Sequence, residues 1–330
     1  MGTQQSTSSS LAVLQRRLAG VESAGVALLG LPWDAGSSFL RGAAQAPAQV
    51  RRALYSDAGN LFSECGRDLG DPAALIDLGD LALTAPEKID AEAKAGSTGE
   101  IEAAVTAVLE RGLLPLALGG DHLVTLPVVT AVARARGPLD MLVLDAHPDL
   151  YDRFEGSTAS HASVSARVME RGLVRRLIQL GIRTLNTHQR EQAEHFGVEI
   201  VEMRRWSVDA LPRLEGPLYL SLDLDVLDPA HAPGVAHREP GGATTRQVLD
   251  VIQAIDVPVV GADVVELNPA RDLPFAGRGT SDDGAPGDSA SGDDASNEGA
   301  LHRDGGITAR VAAKLVKEVA ALMLNGRGRP

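Results

Sequence analysis

Short apolar runs of strand length alternate with segments of helical period along nearly the whole of this 330-residue chain. Strand-like runs are expected at 26–31, 74–78, 114–120, 141–144, 177–182, 198–201, 218–224 and 257–265. Helical patterns are expected at 49–55, 99–114, 123–135, 162–171, 190–196, 245–255 and 307–324, with Thr244 as a cap for the sixth. Strand and helix in regular alternation, joined by short links, predict an α/β fold. Its parallel sheet would be covered on both faces through right-handed crossovers.

Two segments stand outside this pattern. Residues 1–20 (opening MGTQQSTSSS) are expected to be a polar leader without fixed structure, although Gly2 and Ser6 match a short acylation pattern. Residues 275–305 are rich in Gly, Ser and Asp and contain no Lys. They bury too little apolar surface to offset the entropy of ordering, so a disordered acidic insertion is expected there. With no repeat and no second compositional unit, residues 21–330 read as one domain.

Composition removes several classes of function. The net charge of -13 opposes a nucleic-acid partner and favours small cationic ligands. No apolar run is long enough to span a bilayer. The single cysteine, Cys65, excludes an intrachain disulfide framework and a cysteine-type zinc cluster, so any metal must be held by oxygen and nitrogen.

Such ligands collect where the strands end. LVLDAHPDLY, residues 142–151, places Asp145, His147 and Asp149 at alternate positions, so an extended backbone turns all three to one side, and Pro148 opposes a helix. Taken alone, this also fits a polar strand exit with Asp and His as turn residues and caps. LPLALGG is followed by Asp121 and His122, with Gly119 and Gly120 permitting a tight turn or close backbone approach. LYLSLDLD puts Asp223 and Asp225 on one face of a strand so apolar that two carboxylates there need a counter-charge. Four carboxylates and two imidazoles are too many for one zinc ion. They suit two divalent ions with bridging carboxylates, and so a hydrolase. Glu266, ending VVGADVVE, could hold a cationic substrate, or it could cap a turn. His161 could relay protons to solvent, or it could be an ordinary surface histidine.

The blocks GGDH at 119–122, DAHPD at 145–149, SLDLDVLDPAHAPG at 221–234, EPGG and VVELNP together resemble the arginase and agmatinase family, the ureohydrolases. LDAHPDLYDRFEGSTASHAS, LGIRTLNTHQREQ and GVAHREPGG most resemble plant-type members. The resemblance implies a three-layer α/β/α fold, two Mn2+ ions per subunit, homo-oligomers (trimers or hexamers), and arginine hydrolysis to ornithine and urea. It implies His122, Asp145, Asp149 and Asp223 around one ion, and His147, Asp145, Asp223 and Asp225 around the other, with a bridging hydroxide attacking the guanidino carbon. Glu266 would orient the guanidinium, and Asp149 with the shuttle His161 would protonate the leaving amine. Tyr151 and Asn186 would lie near the amino-acid end of the substrate. The sequence departs from the common family pattern at Leu123 and Ala162, which bears on substrate fit. Alternatives are agmatinase, another guanidino-acid ureohydrolase, a different binuclear hydrolase, and a non-catalytic metal-binding homologue. The expected compartment is the cytoplasm, with the mitochondrion as the alternative.

Overall fold

The structure, a computed structural model, describes residues 4–22, 24–83, 91–273 and 305–326. Eight strands form one sheet: β1 (Val26–Gly30), β2 (Leu75–Asp80), β3 (Leu114–Leu118), β4 (Leu139–Leu144), β5 (Val174–Ile182), β6 (Glu199–Glu202), β7 (Leu218–Asp223) and β8 (Val259–Val265). Their spatial order is β2-β1-β3-β8-β7-β4-β5-β6, and every pairing is parallel. The helices are α1 (Gln4–Ala19), α2 (Ala46–Leu54), α3 (Ala91–Glu110), α4 (Thr125–Arg136), α5 (Val164–Glu170), α6 (Thr187–Phe196), α7 (Thr245–Ala254) and α8 (Ile307–Asn325).

Side chains alternate across the strands and so feed two cores. In β4, Leu142 and Leu144 join the core that holds Val50 of α2, Ile252 of α7 and Leu315 of α8. Met141 and Val143 face the opposite core, with Leu14 of α1, Val105 of α3, Val128 of α4 and Val168 of α5. This is the expected three-layer α/β/α arrangement. Thr244 caps α7 as expected, in a reciprocal capping box with Gln247.

The N-terminal segment corrects the expectation. The leader expected over residues 1–20 is helical from Gln4 to Ala19, and Leu14 and Leu18 are buried. Leu11, Leu14 and Leu18 recur at helical spacing and give a polar-looking segment one apolar stripe that packs on the sheet. Ser10 and Arg17 also tie it to the end of β2, through the Ala82 N–H and the Leu78 carbonyl. A boundary at residue 21 therefore cuts through packed structure. Gly2 and the expected insertion, up to residue 304, lie outside the described residues.

Candidate metal centre

Four adjacent strands, β3, β8, β7 and β4, carry every expected ligand at their C-terminal ends, where open parallel sheets place their sites. His122 follows β3, Glu266 follows β8, Asp223 ends β7 with Asp225 in the 3-10 turn Leu224–Val226 after it, and Asp145, His147 and Asp149 follow β4. The diglycine lets β3 turn close to the 31–35 segment. A Cβ on Gly120 would sit 1.7 Å from the Trp33 carbonyl oxygen, which accepts the Asp121 N–H at 2.8 Å. Neither backbone can yield cheaply. Gly120→Ala is expected to destabilise the protein by about 3 kcal/mol and to displace His122, which urea denaturation and bound-metal analysis would show.

The six expected ligands converge. His122 Nδ1 lies 3.2 Å from Asp145 Oδ2, 3.0 Å from Asp149 Oδ2 and 3.3 Å from Asp223 Oδ2. His147 Nδ1 lies 2.9 Å from Asp225 Oδ2 and 3.7 Å from Asp145 Oδ1. His122, Asp145 and Asp149 form one group able to hold an ion, and Asp145, His147 and Asp225 form a second. Asp145 belongs to both. Backbone N–H groups hold several of these carboxylates in place, His147 on Asp145 at 2.6 Å, Asp225 on Asp223 at 2.9 Å and Ala146 on Asp225 at 3.1 Å. Asp149 and Glu266 adopt left-handed backbone, with φ of 49° and 67°. For non-glycine residues this is strained, and here it bends two carboxylates into one rim.

The electrostatics are those of a cation site. Burial raises the Asp223 carboxyl well above its ordinary value, and Asp225 and Asp145 push it further. Burial and Asp145 raise Asp149 to about 6. Burial would lower both imidazoles, but the surrounding carboxylates outweigh it, lifting His122 well above its ordinary value and His147 to about 12. His122 Nδ1 and Asp145 Oδ2 are both buried without a hydrogen bond of proper geometry, although they face each other. Ligand atoms aimed at one another across a fully buried space fit a shared divalent ion. The oxygen and imidazole donors, with no thiolate, suit a hard metal such as Mn2+.

A cleft of about 180 Å³ opens over the cluster. His161 Nδ1 is 2.8 Å from Glu266 Oε1, which also accepts the His122 N–H at 2.8 Å. Burial lowers His161, but Glu266 overrides it and lifts the imidazole to about 9. The Ser38 N–H works the other way, because donating to Nε2 at 3.1 Å requires a lone pair there. Sequence reasoning missed Ser38 and His237. The His237 ring stands 5.4 Å from that of His161 and 5.7 Å from that of His147, and burial keeps it below its ordinary value. No local pattern marks either residue, since only the fold brings them to the cleft.

Tyr151 lines the cleft, whereas Asn186 does not. Asn186 caps α6 through the Gln189 N–H and donates to the Tyr151 hydroxyl at 2.6 Å. It is therefore placed to position Tyr151 and has no direct part in the cleft wall. Of the two sequence departures, Ala162 lines the cleft and Leu123 is buried away from it. A larger cavity of about 440 Å³ lies between Glu64 and Cys65, α7 and α8. Its Glu64 and Glu318 are paired with Arg246 and Lys314, and it holds none of the metal-type groups found among the described residues.

The arginase family model matches residues 24–282. Arginase 1, mitochondrial, of Arabidopsis thaliana is 43% identical over 314 residues, covering 92% of this chain and 83% of that protein. The chain belongs to the arginase family. An agmatinase of Bacillus anthracis is 34% identical over 260 residues, covering 76% of this chain and 86% of that protein. Among solved structures, an arginase from Medicago truncatula superposes with a TM-score of 0.80 at 38% identity, covering 97% of this chain and 96% of that one. The family is metal-dependent and indicates a hydrolase acting on a guanidino C–N bond, and each of the two residue groups above could hold an ion.

Proposed function

We propose that this chain is an arginase, converting arginine and water to ornithine and urea with two Mn2+ ions bound. The observation that carries this reading is the double ligand group sharing Asp145, set beneath a cleft with Glu266 at its rim. His122, Asp145, Asp149 and Asp223 would hold one ion, and His147, Asp145, Asp223 and Asp225 the other. Two such ions supply a water acidic enough to serve as nucleophile near neutral pH. Glu266 presents a buried carboxylate to the guanidinium. It also holds a proton on His161 Nδ1, while His161 Nε2, next to the Ser38 hydroxyl at 2.7 Å, offers a route for a proton to or from the leaving amine.

The cleft suits a cation. Among the described residues no Lys or Arg lines it, and Arg183 is turned behind it onto the backbone carbonyls of Asp225, Val226 and Glu239. The Glu239 carboxylate, also lining the cleft, makes no side-chain hydrogen bond or ion pair with another described residue and could meet an ammonium group. The lack of a cationic wall for the arginine carboxylate favours agmatinase as the second reading. Tyr151 supports the first, because its oxygen accepts from Asn186 and its own O–H is left to donate to that carboxylate.

The test is urea release from Mn-loaded protein given arginine, agmatine or 4-guanidinobutyrate. Turnover of arginine is expected, and activity on agmatine alone would transfer the assignment to the second reading. Tyr151→Phe is expected to raise KM for arginine roughly 10-fold and to leave agmatine unchanged, the loss of one hydrogen bond to a charged group. Assembly into trimers or hexamers is proposed on family membership, and light scattering would show it. For the compartment we favour the mitochondrion over the cytoplasm expected from sequence, because the Arabidopsis and rice relatives are named mitochondrial. Imaging of the tagged protein would decide.

A further inference from the structure

Asp263 is a fully buried carboxylate in the middle of β8 that takes no part in the chemistry above. It sits opposite Ser221 of β7 in the parallel register, so both side chains leave the same face of the sheet. The Ser221 hydroxyl donates to Asp263 Oδ1 at 2.6 Å, and the Tyr219 hydroxyl donates to Oδ2. Leaving a carboxylate this deep is costly without a compensating charge, and the favourable charge acting on it is that of His122. Ser221 provides the connection, its Oγ lying 3.0 Å from His122 Nε2.

The direction of these bonds matters. A serine has one hydrogen to donate, and here it is committed to Asp263, so Ser221 can only accept from His122. The proton of His122 must then sit on Nε2. In the neutral imidazole that a metal ligand must be, this leaves the lone pair on Nδ1, facing Asp145, Asp149 and Asp223.

We propose that Asp263, acting through Ser221, is a positioning residue for the metal site that contains His122. It fixes the rotation and tautomer of the imidazole and raises the basicity of Nδ1. The inference rests on the metal reading given under Proposed function. Groups behind a ligating histidine typically change metal affinity by about 10–100-fold when removed.

Ser221→Ala removes the connection with one atom. Asp263→Asn and the double variant complete the set. Binding of Mn2+ alone to the full-length chain would be followed by equilibrium dialysis, with thermal melts of the metal-free proteins as the check on folding. Wild type should take up two ions. Ser221→Ala should weaken one of them by about 10–100-fold, with the other unchanged, in a metal-free protein that melts lower but still as one cooperative unit. Because the two residues act as one unit, the double variant should bind no more weakly than the weaker single variant. Unchanged affinity in a folded Ser221→Ala protein, or losses that multiply in the double variant, would overturn the proposal. A wild-type chain that takes up no Mn2+ would overturn the metal reading and this inference with it.

Discussion

Asp145→Ala is expected to abolish urea release, by more than about 10³-fold, and to remove both ions from the protein. Losing a single electrostatic stabiliser of a transition state already costs 10²–10³-fold, and this one residue belongs to both ligand groups. Its Oδ2 faces His122 Nδ1 at 3.2 Å, and its Oδ1 holds the His147 N–H at 2.6 Å. Removing it therefore opens one site and loosens the loop carrying the other. Burial raises Asp149 and Asp223, and repulsion from Asp145 adds to that in both, so in the metal-free variant both carboxyls should titrate nearer their ordinary values. The pH dependence follows the same sign. An acid raised from 3.8 to about 6 contributes stability that is complete below pH 3.8 and lost as pH rises through 6. In the variant this loss should shrink. Urea assays, bound-Mn2+ analysis and melts at pH 4 and 7 provide the test. Two ions retained, or activity near wild type, would refute the shared-ligand assignment.

The parts of the fold legible in sequence were those written in periodicity. Every expected strand and helix from Val26 onward is present, since each carries an apolar run or stripe that the core requires. Boundaries moved where polar residues are held by tertiary contacts. β5 begins at Val174, before the expected 177, because Arg175 and Arg176 lie within the strand and pair with the buried Asp140 of β4. The six expected ligands were legible for a different reason. Metal-type residues crowded at strand ends, and Asp223 with Asp225 after so apolar a strand, were anomalous in themselves, although a 3-10 turn at Asp225 and the left-handed backbone of Asp149, not simple alternation, bring them together. Asp263 carried the same anomaly in VVGADVVE, but its partner Ser221 lies on another strand. Strand order cannot be read from periodicity, so the register that joins them, and the fold that brings Ser38 and His237 to the cleft, had no sequence signal.

Glu266→Gln separates charge from shape at the rim. Glu266 Oε1 serves two hydrogen bonds at once, from the His122 N–H and from His161 Nδ1, each at 2.8 Å, while its backbone is held at φ 67° by an N–H donated to the Gly120 carbonyl at 2.8 Å. Glutamine keeps an acceptor oxygen and the same length, so the fold should be retained. The negative charge offered to a guanidinium is lost, and breaking such a buried charge-assisted contact costs about 2–5 kcal/mol. The kcat/KM for arginine should therefore fall by roughly 30- to 5,000-fold. A second readout follows from His161. Burial lowers this imidazole, and Glu266 leads the carboxylates that override it, ahead of Asp149 and Asp121, to reach about 9, so without the Glu266 charge the group should fall well below that value. Glu266 favours the charged imidazole and the Ser38 N–H the neutral one, and the variant loses the larger influence toward the charged form. The contribution of the pair to stability is full below pH 6.5 and lost as pH rises through 9, and in the variant it should shrink across that window. A pH profile of kcat/KM from 5 to 10 tests both points. The limb governed by His161 should move to lower pH in Glu266→Gln, and a limb that stays in place with wild-type kcat/KM would remove Glu266 from the substrate site.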